Sequence, residues 1–258
     1  MKRTLWIIFI SIFIAGSLSA AIKVGPSHTT VSVDPEKKVV KEIYLENTSD
    51  KPTEIVVTVE NFRSSKINEK VDWRSWLTID TKNIILKGNE KILLQYTLEA
   101  FKDFKGEVSA KVSFIDRPSG SSTSIRTKMS VAIYMISRAN AKIGSELGKM
   151  NIEKEGSLLN FQVPVKNTGN IHVRPDGHLS LLNSKGKVLN KVELKTSYPI
   201  FEGYEIKLEN KEQVKFPGNG EYTVNVKLNL GYKDIYNVEK DYKVSINKKG
   251  KIKIREKK

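Results

Sequence analysis

His172 and His178 bracket Arg174-Pro175-Asp176-Gly177, so a His-x3-Asp-x-His cluster stands where metal-ligating side chains gather in the sequence. A metal there would need three side chains to converge from one turn. Pro-Asp-Gly is ordinary turn chemistry, and such a turn sends the two histidines into different strands. The expectation is no metal and no cofactor. The third histidine, His28, stands alone in an early strand. The chain has no Cys, which excludes structural disulfides, thiol catalysis, iron–sulfur clusters, thiolate zinc sites and a lipid-anchoring cysteine. No His-Glu-x-x-His, Gly-x-Ser-x-Gly, phosphate loop or EF-hand loop occurs. Carboxylate pairs such as Glu153/Glu155 and Glu209/Glu212 flank turns and alternate with lysine, as on a solvated surface. A glycosidase would need two carboxylates facing across a cleft, and nothing in the spacing selects a pair. No catalytic residue is assigned, and the expectation is a protein that is not an enzyme.

The elements that must carry any site are strands. Met1-Lys2-Arg3 followed by the apolar run Leu5–Ala15 and the small residues Gly16 to Ala21 has the form of a cleaved signal peptide. The remainder is expected to be exported, periplasmic or extracellular, with no membrane span of its own. From Ile22 onward the dominant period is two. Val39–Glu46, Glu54–Phe62, Lys91–Leu98, Gly106–Ile115 and Ile125–Ile136 alternate and are separated by turn clusters such as Asn47–Pro52 and Pro118–Ser122. Residues 139–148, with Gly144 and Gly148, break the alternation and read as a linker. Seven further strands follow, among them Leu158–Lys166, Glu221–Leu230 and Tyr236–Ile246. The expected fold is all-β: two tandem immunoglobulin-like β-sandwiches after the signal peptide. The divisions are 1–21 signal peptide, 22–138 first sandwich, 139–148 linker, 149–247 second sandwich and 248–258 a basic tail or hairpin strand. One echo links the halves, since Tyr44–Thr48 and Val165–Thr168 both end a strand in Asn-Thr before a turn.

The 258 residues carry 44 Lys plus Arg against 29 Asp plus Glu, a formal charge of +15. Residues 248–258 alone hold seven Lys/Arg against one Glu. Two readings of this end stand side by side. One is an edge strand guarded by lysines. The other is contact of Lys248, Lys249, Lys251, Lys253 and Arg255 with an anionic envelope polymer or lipid surface. Nucleic acid is not expected as a partner of an exported chain.

The run Trp76–Asp80, Ile84–Lys91, Leu93–Leu98 and Gly106-Glu107-Val108-x-Ala110-x-Val112-x-Phe114 resembles the N-terminal domain of the PapD-like periplasmic chaperones. The resemblance covers roughly residues 24–137. It implies a chaperone or assembly factor that completes an envelope or fimbrial client by lending it a strand edge. The strand Ile125–Ile136 takes the family's donating position, and Met129, Val131, Ile133 and Met135 share one of its faces. With Lys128 they form the client-binding set that the resemblance implies. The family holds its client's terminal carboxylate with a buried Arg and Lys. In this sequence the Lys position falls at Ser130, with Lys128 within reach, and the first strand offers Lys23, His28 and Thr30 but no Arg.

The second half resembles Ig-like modules of bacterial surface proteins, through Asn167–Gly177 and Gly220-Glu221-Tyr222-Thr223-Val224-Asn225-Val226. Tyr222 is expected as a corner tyrosine bonding nearby backbone. A structural or adhesive envelope module that binds polysaccharide or protein, without chaperone action, is the alternative function.

Overall fold

The computed structural model describes residues 22–117, 126–210, 212–215, 217–232 and 237–256. The signal peptide and the turn at 118–122 expected from the sequence lie outside the described residues, as does Ile125. The first half runs in chain order through β1 (Ile22–Gly25), β2 (His28–Val33), β3 (Lys38–Asn47), β4 (Thr53–Asn61), β5 (Leu77–Thr78), β6 (Asn83–Leu86), β7 (Lys91–Glu99), β8 (Glu107–Arg117) and β9 (Lys128–Ser137). Two sheets, β1-β3-β7-β5 and β2-β9-β8-β4-β6, face each other. The chain passes from one to the other between β1 and β2, so β1 runs antiparallel to β3 while β2 runs parallel to β9.

Alternation decides which side chains fill the space between the sheets. Ile43 and Leu45 enter from β3, Leu94, Tyr96 and Leu98 from β7, and Val108, Ala110, Val112 and Phe114 from β8. Val131, Ile133 and Met135 enter from β9, and Met129 packs at the edge of the same core. Their outward neighbours on β9 are Lys128, Ser130, Ala132 and Tyr134.

The second half contains β10 (Ser145–Leu147), β11 (Asn151–Glu155), β12 (Leu158–Asn167), β13 (Asp176–Asn183), β14 (Val188–Lys195), β15 (Glu205–Glu209), β16 (Val214–Lys215), β17 (Gly220–Asn229), β18 (Asn237–Ile246) and β19 (Ile252–Glu256). One sheet is built on β12, flanked by β10 and β11 along one side and by β15 and β16 along the other. The other runs β14-β13-β17-β18-β19. Pro164 sits inside β12, where a missing N–H would ordinarily break a ladder. Its carbonyl accepts from Gly148 at 2.9 Å, so its N–H position faces the gap where β10 ends and β11 has not begun.

Two expectations need correction or completion. Within residues 139–148, Ser145–Leu147 adds to the edge of β12 and buries Leu147 in the second core. Two glycines around three residues looked like a break, but one apolar side chain with a core to enter was enough to order them. The basic end is a hairpin: β19 pairs with β18, and Ile252 and Ile254 pack on the second core.

The echo between the halves is geometric as well as sequential. Asn47 and Asn167, both 0% exposed, end β3 and β12. Asn47 Nδ2 donates to the carbonyls of Lys51 and Leu86, and its Oδ1 accepts from Ser49 N–H. Asn167 Nδ2 donates to Ile171 and Ile200, and its Oδ1 accepts from Gly169 N–H. Each asparagine closes its own turn and pins a distant loop to it, satisfying carbonyls that burial removes from water. Tyr222 behaves as a corner tyrosine, its hydroxyl donating to Pro217 O at 3.2 Å.

Candidate functional site: the cleft between the two sandwiches

The second sandwich meets the first through the segment following Asn167. Glu107 opens β8 on the outer side of its sheet, where a carboxylate would normally be hydrated. Here it is 1% exposed, because His172 of the second sandwich, 3% exposed, covers it. His172 Nδ1 lies 2.5 Å from Glu107 Oε2, and the His172 backbone N–H donates to the same oxygen at 3.0 Å. Gly106 makes this approach possible. Its φ is +66°, and a Cβ there would meet Ser65 Oγ at 2.7 Å and the Asn170 carbonyl at 3.0 Å.

Aromatic rings surround the pair. The Tyr134 ring lies 4.1 Å from the His172 ring, and Tyr232 OH donates to the His172 carbonyl at 2.7 Å. Nearby, Phe62 meets Phe201 edge-on at 5.6 Å and the Arg63 guanidinium lies 4.4 Å over the Tyr204 ring. Glu202 accepts from the Lys66 N–H at 2.7 Å. Burial pushes the Tyr134 hydroxyl up to about 12, opposed by the Arg174 charge. Burial raises Tyr232 further, with the charge of Glu107 adding to it.

These shifts predict the alkaline limit of the joint. A phenol whose folded-state value is raised contributes stability that is complete below its unfolded value of about 10. That contribution is lost as pH climbs through the folded-state value. Tyrosinate absorbance should therefore show Tyr134 titrating near 12 and Tyr232 later, each accompanied by loosening of the joint. Titration of all tyrosines together near pH 10 (the model-compound value, roughly) would contradict the buried joint.

Beside the joint opens a cleft of about 340 Å³, walled by His28, Thr30, Ser32 and Ile136 of the first sandwich and His172, Arg174 and Tyr232 of the second. Arg174 is its strongest charge. One guanidinium nitrogen donates to Ser197 O at 3.0 Å and another to Tyr134 OH at 3.2 Å, while Nε is buried without a partner. Among the described residues no carboxylate forms an ion pair with Arg174, and none lines the cleft. An arginine held in place by neutral acceptors and left without a counter-ion is suited to taking an anion.

The predicted site residues fall in different places. Val131, Ile133 and Met135 are core side chains with 0% exposure, and Met129 is half-buried beside them. The face they share is therefore turned into the first sandwich. What β9 offers outward is Lys128, Ser130 and a length of backbone. His28↔Ala132 is the first register pair of β2 with β9, and Ala132 N–H donates to Ser27 O. Beyond it, among the described residues, no strand pairs with the outer edge of Lys128–Val131. The inner edge of the same four residues is fully laddered to β8, from Ile115↔Lys128 to Val112↔Val131. Ser130 Oγ lies 2.9 Å from Ser113 Oγ, on the outer face that leads toward the cleft. His172, Asp176 and His178 do not converge, since His172 is committed to Glu107 while His178 stands on β13. His28, expected alone, shares the cleft with Arg174 and His172. Lys253 and Arg255 lie on the guarding strand β19, opposite Ser245 and Lys243, while Lys248, Lys249 and Lys251 belong to its turn.

No family model matches this sequence, and no curated protein matches it. Among solved structures the chain is similar to the class 5 fimbriae chaperone CfaA, at 17% identity and a TM-score of 0.49, over 85% of this chain and 98% of that one. It is similar also to the Pseudomonas aeruginosa CupB2 chaperone, at 12% identity and a TM-score of 0.45, over 91% and 98% of the two chains. A third is the E. coli chaperone DraB, at 14% identity and a TM-score of 0.44, over 85% and 97%.

Proposed function

We propose that this is an exported, non-enzymatic protein that captures a protein client by strand addition along the free edge of β9, as a periplasmic chaperone or assembly factor. The observation that carries the reading is that edge. A strand laddered on one side and open on the other over Lys128–Val131 presents unpaired backbone groups, which an extended segment of another chain can satisfy. The envelope or fimbrial class of client follows from the family that residues 24–137 resemble. Arg174 supports the same reading. It stands in the cleft that the edge leads to, and it supplies the positive charge that the first strand lacks for a client's terminal carboxylate.

The side chains of Val131, Ile133 and Met135 hold the donating strand flat from within, while its backbone makes the contact. Because Ala132 N–H points toward β2, the strand's period of two directs Ser130 N–H to the same, open side. Ser130→Pro removes that donor and the side-chain contact with Ser113, while leaving the backbone bonds to β8 in place. Expressed with its export signal and purified from the periplasm, the wild-type chain should carry a stoichiometric client. Ser130→Pro and Arg174→Ala should each lower client recovery at least tenfold with circular dichroism unchanged. Undiminished recovery with both variants would sink strand addition and favour an adhesive module that binds elsewhere.

A further inference from the structure

The cleft contains a second group that can change charge. His28 leads β2, exposed on the outer side of the sheet, with Nδ1 3.3 Å from Ser27 Oγ. It lines the same cleft as Arg174 and His172. Among the described residues no carboxylate lines the cleft around it. Arg174 and His172 face it from the second sandwich, and the imidazole of His172 is paired with Glu107. The phenols of Tyr134 and Tyr232 line the joint beneath. Two strands across, Lys111 follows Ala132 in register and is neutralised by Glu60 at 2.6 Å. An empty cleft therefore disfavours a second positive charge. The part of the ring turned into the cleft is desolvated, and this, then Arg174, then His172, holds the His28 value below the ordinary imidazole range.

An anion in the cleft reverses this balance, because it compensates Arg174 and offers His28⁺ an opposite charge. We propose that the cleft is a proton-coupled carboxylate site, in which His28 takes up one proton from solvent as the client's carboxylate settles against Arg174. This rests on the client-binding reading above and adds its regulation. By linkage, a group that gains affinity for a proton on binding makes binding tighter as pH falls through its range. Client capture is then favoured in mildly acidic surroundings, and release is favoured as pH rises.

The test uses the mature chain and a short synthetic peptide of alternating Val and Thr ending in a free carboxylate, with its terminal amide as the matched control. Wild-type affinity for the acid should rise about fivefold from about pH 7.5 to about pH 5.5. His28→Gln should bind the acid with an affinity that does not rise between the two pH values. Arg174→Gln and the amide peptide should lose most of the affinity at both pH values. Inorganic phosphate that competes with the acid peptide only weakly would assign the site to a chain terminus, and strong competition would assign it to a free anion instead. A wild-type profile flat with pH, or an equal rise in His28→Gln, overturns the proton coupling while leaving client binding intact. No binding of the acid peptide at any pH overturns both.

Discussion

Glu107→Ala should cost the joint between the two sandwiches about 1–3 kcal/mol for each of the two His172 groups it leaves unpaired. The substitution leaves the His172 ring nitrogen and backbone N–H without their acceptor, in a place water does not reach. It also leaves a void beneath Tyr134 and Tyr232. Glu107→Gln keeps the shape and one acceptor oxygen, so it should recover much of the loss. Urea denaturation followed by tyrosine and tryptophan fluorescence reads both variants. The three tryptophans of the chain, Trp6, Trp73 and Trp76, include none in the second sandwich, so a split transition can be assigned. An unchanged midpoint for Glu107→Ala would show that the pair contributes nothing net, and that the aromatic contacts of Phe62, Phe201 and Tyr204 hold the joint.

The joint also bears on function. Arg174 lies two residues from His172 on the same segment and donates to Tyr134 OH of the first sandwich, so its place in the cleft depends on the same docking. Glu107→Ala should therefore weaken client capture, although Glu107 does not line the cleft. On the proposed function, the cleft takes a client only while the sandwiches are docked, and a bound client would in turn favour docking.

The second large effect is expected at Asn167. Asn167→Asp keeps the side chain's size but converts a donor to the Ile171 and Ile200 carbonyls into an acceptor facing them. Each buried carbonyl left unpaired costs about 1–3 kcal/mol, and a carboxylate adds its own desolvation. The new carboxyl is buried beside carbonyls, so its folded-state value is raised above the unfolded value of about 4. A raised acid contributes stability that is complete below the unfolded value and lost as pH rises. Asn167→Asp should thus lower the thermal midpoint strongly at neutral pH and regain part of it in acid, whereas Asn167→Ala should show no such recovery. Asn47→Asp in the first sandwich should behave in the same way, because it makes the same three kinds of bond.

How much of this was legible beforehand depended on the range of the interaction. Alternation placed Val108, Ala110, Val112 and Phe114 in β8 and Met129, Val131, Ile133 and Met135 on one face of β9. It did not say whether that face looks to the core or to a client, since both uses demand the same apolar residues at the same period. Asn47 and Asn167 announced their turns, because an asparagine closing a turn acts within a few residues. Their longer bonds, to Leu86 and Ile200, left no mark in local sequence. Glu107 stands on the polar phase of its strand, and nothing near it in the sequence marks the ring that covers it. Arg174 looked like part of a turn before Pro175. Tyr134 alternated outward and could have been a solvent-facing phenol.

The sequence by itself determined that the chain is all-β, that cysteine chemistry is absent and that Asn-Thr turns recur. Those are properties of period, composition and local bonding, and each is complete within a short window. Only the tertiary structure decided that Glu107 meets His172 across 65 residues, that Arg174 faces a cleft with His28, and that, among the described residues, no strand pairs with the outer edge of β9 before Ala132. Those depend on where one sandwich covers the other. The burial of a charge, the partner it finds and the edge it leaves free are set by the docking of two surfaces, and no run of neighbouring residues encodes that alone.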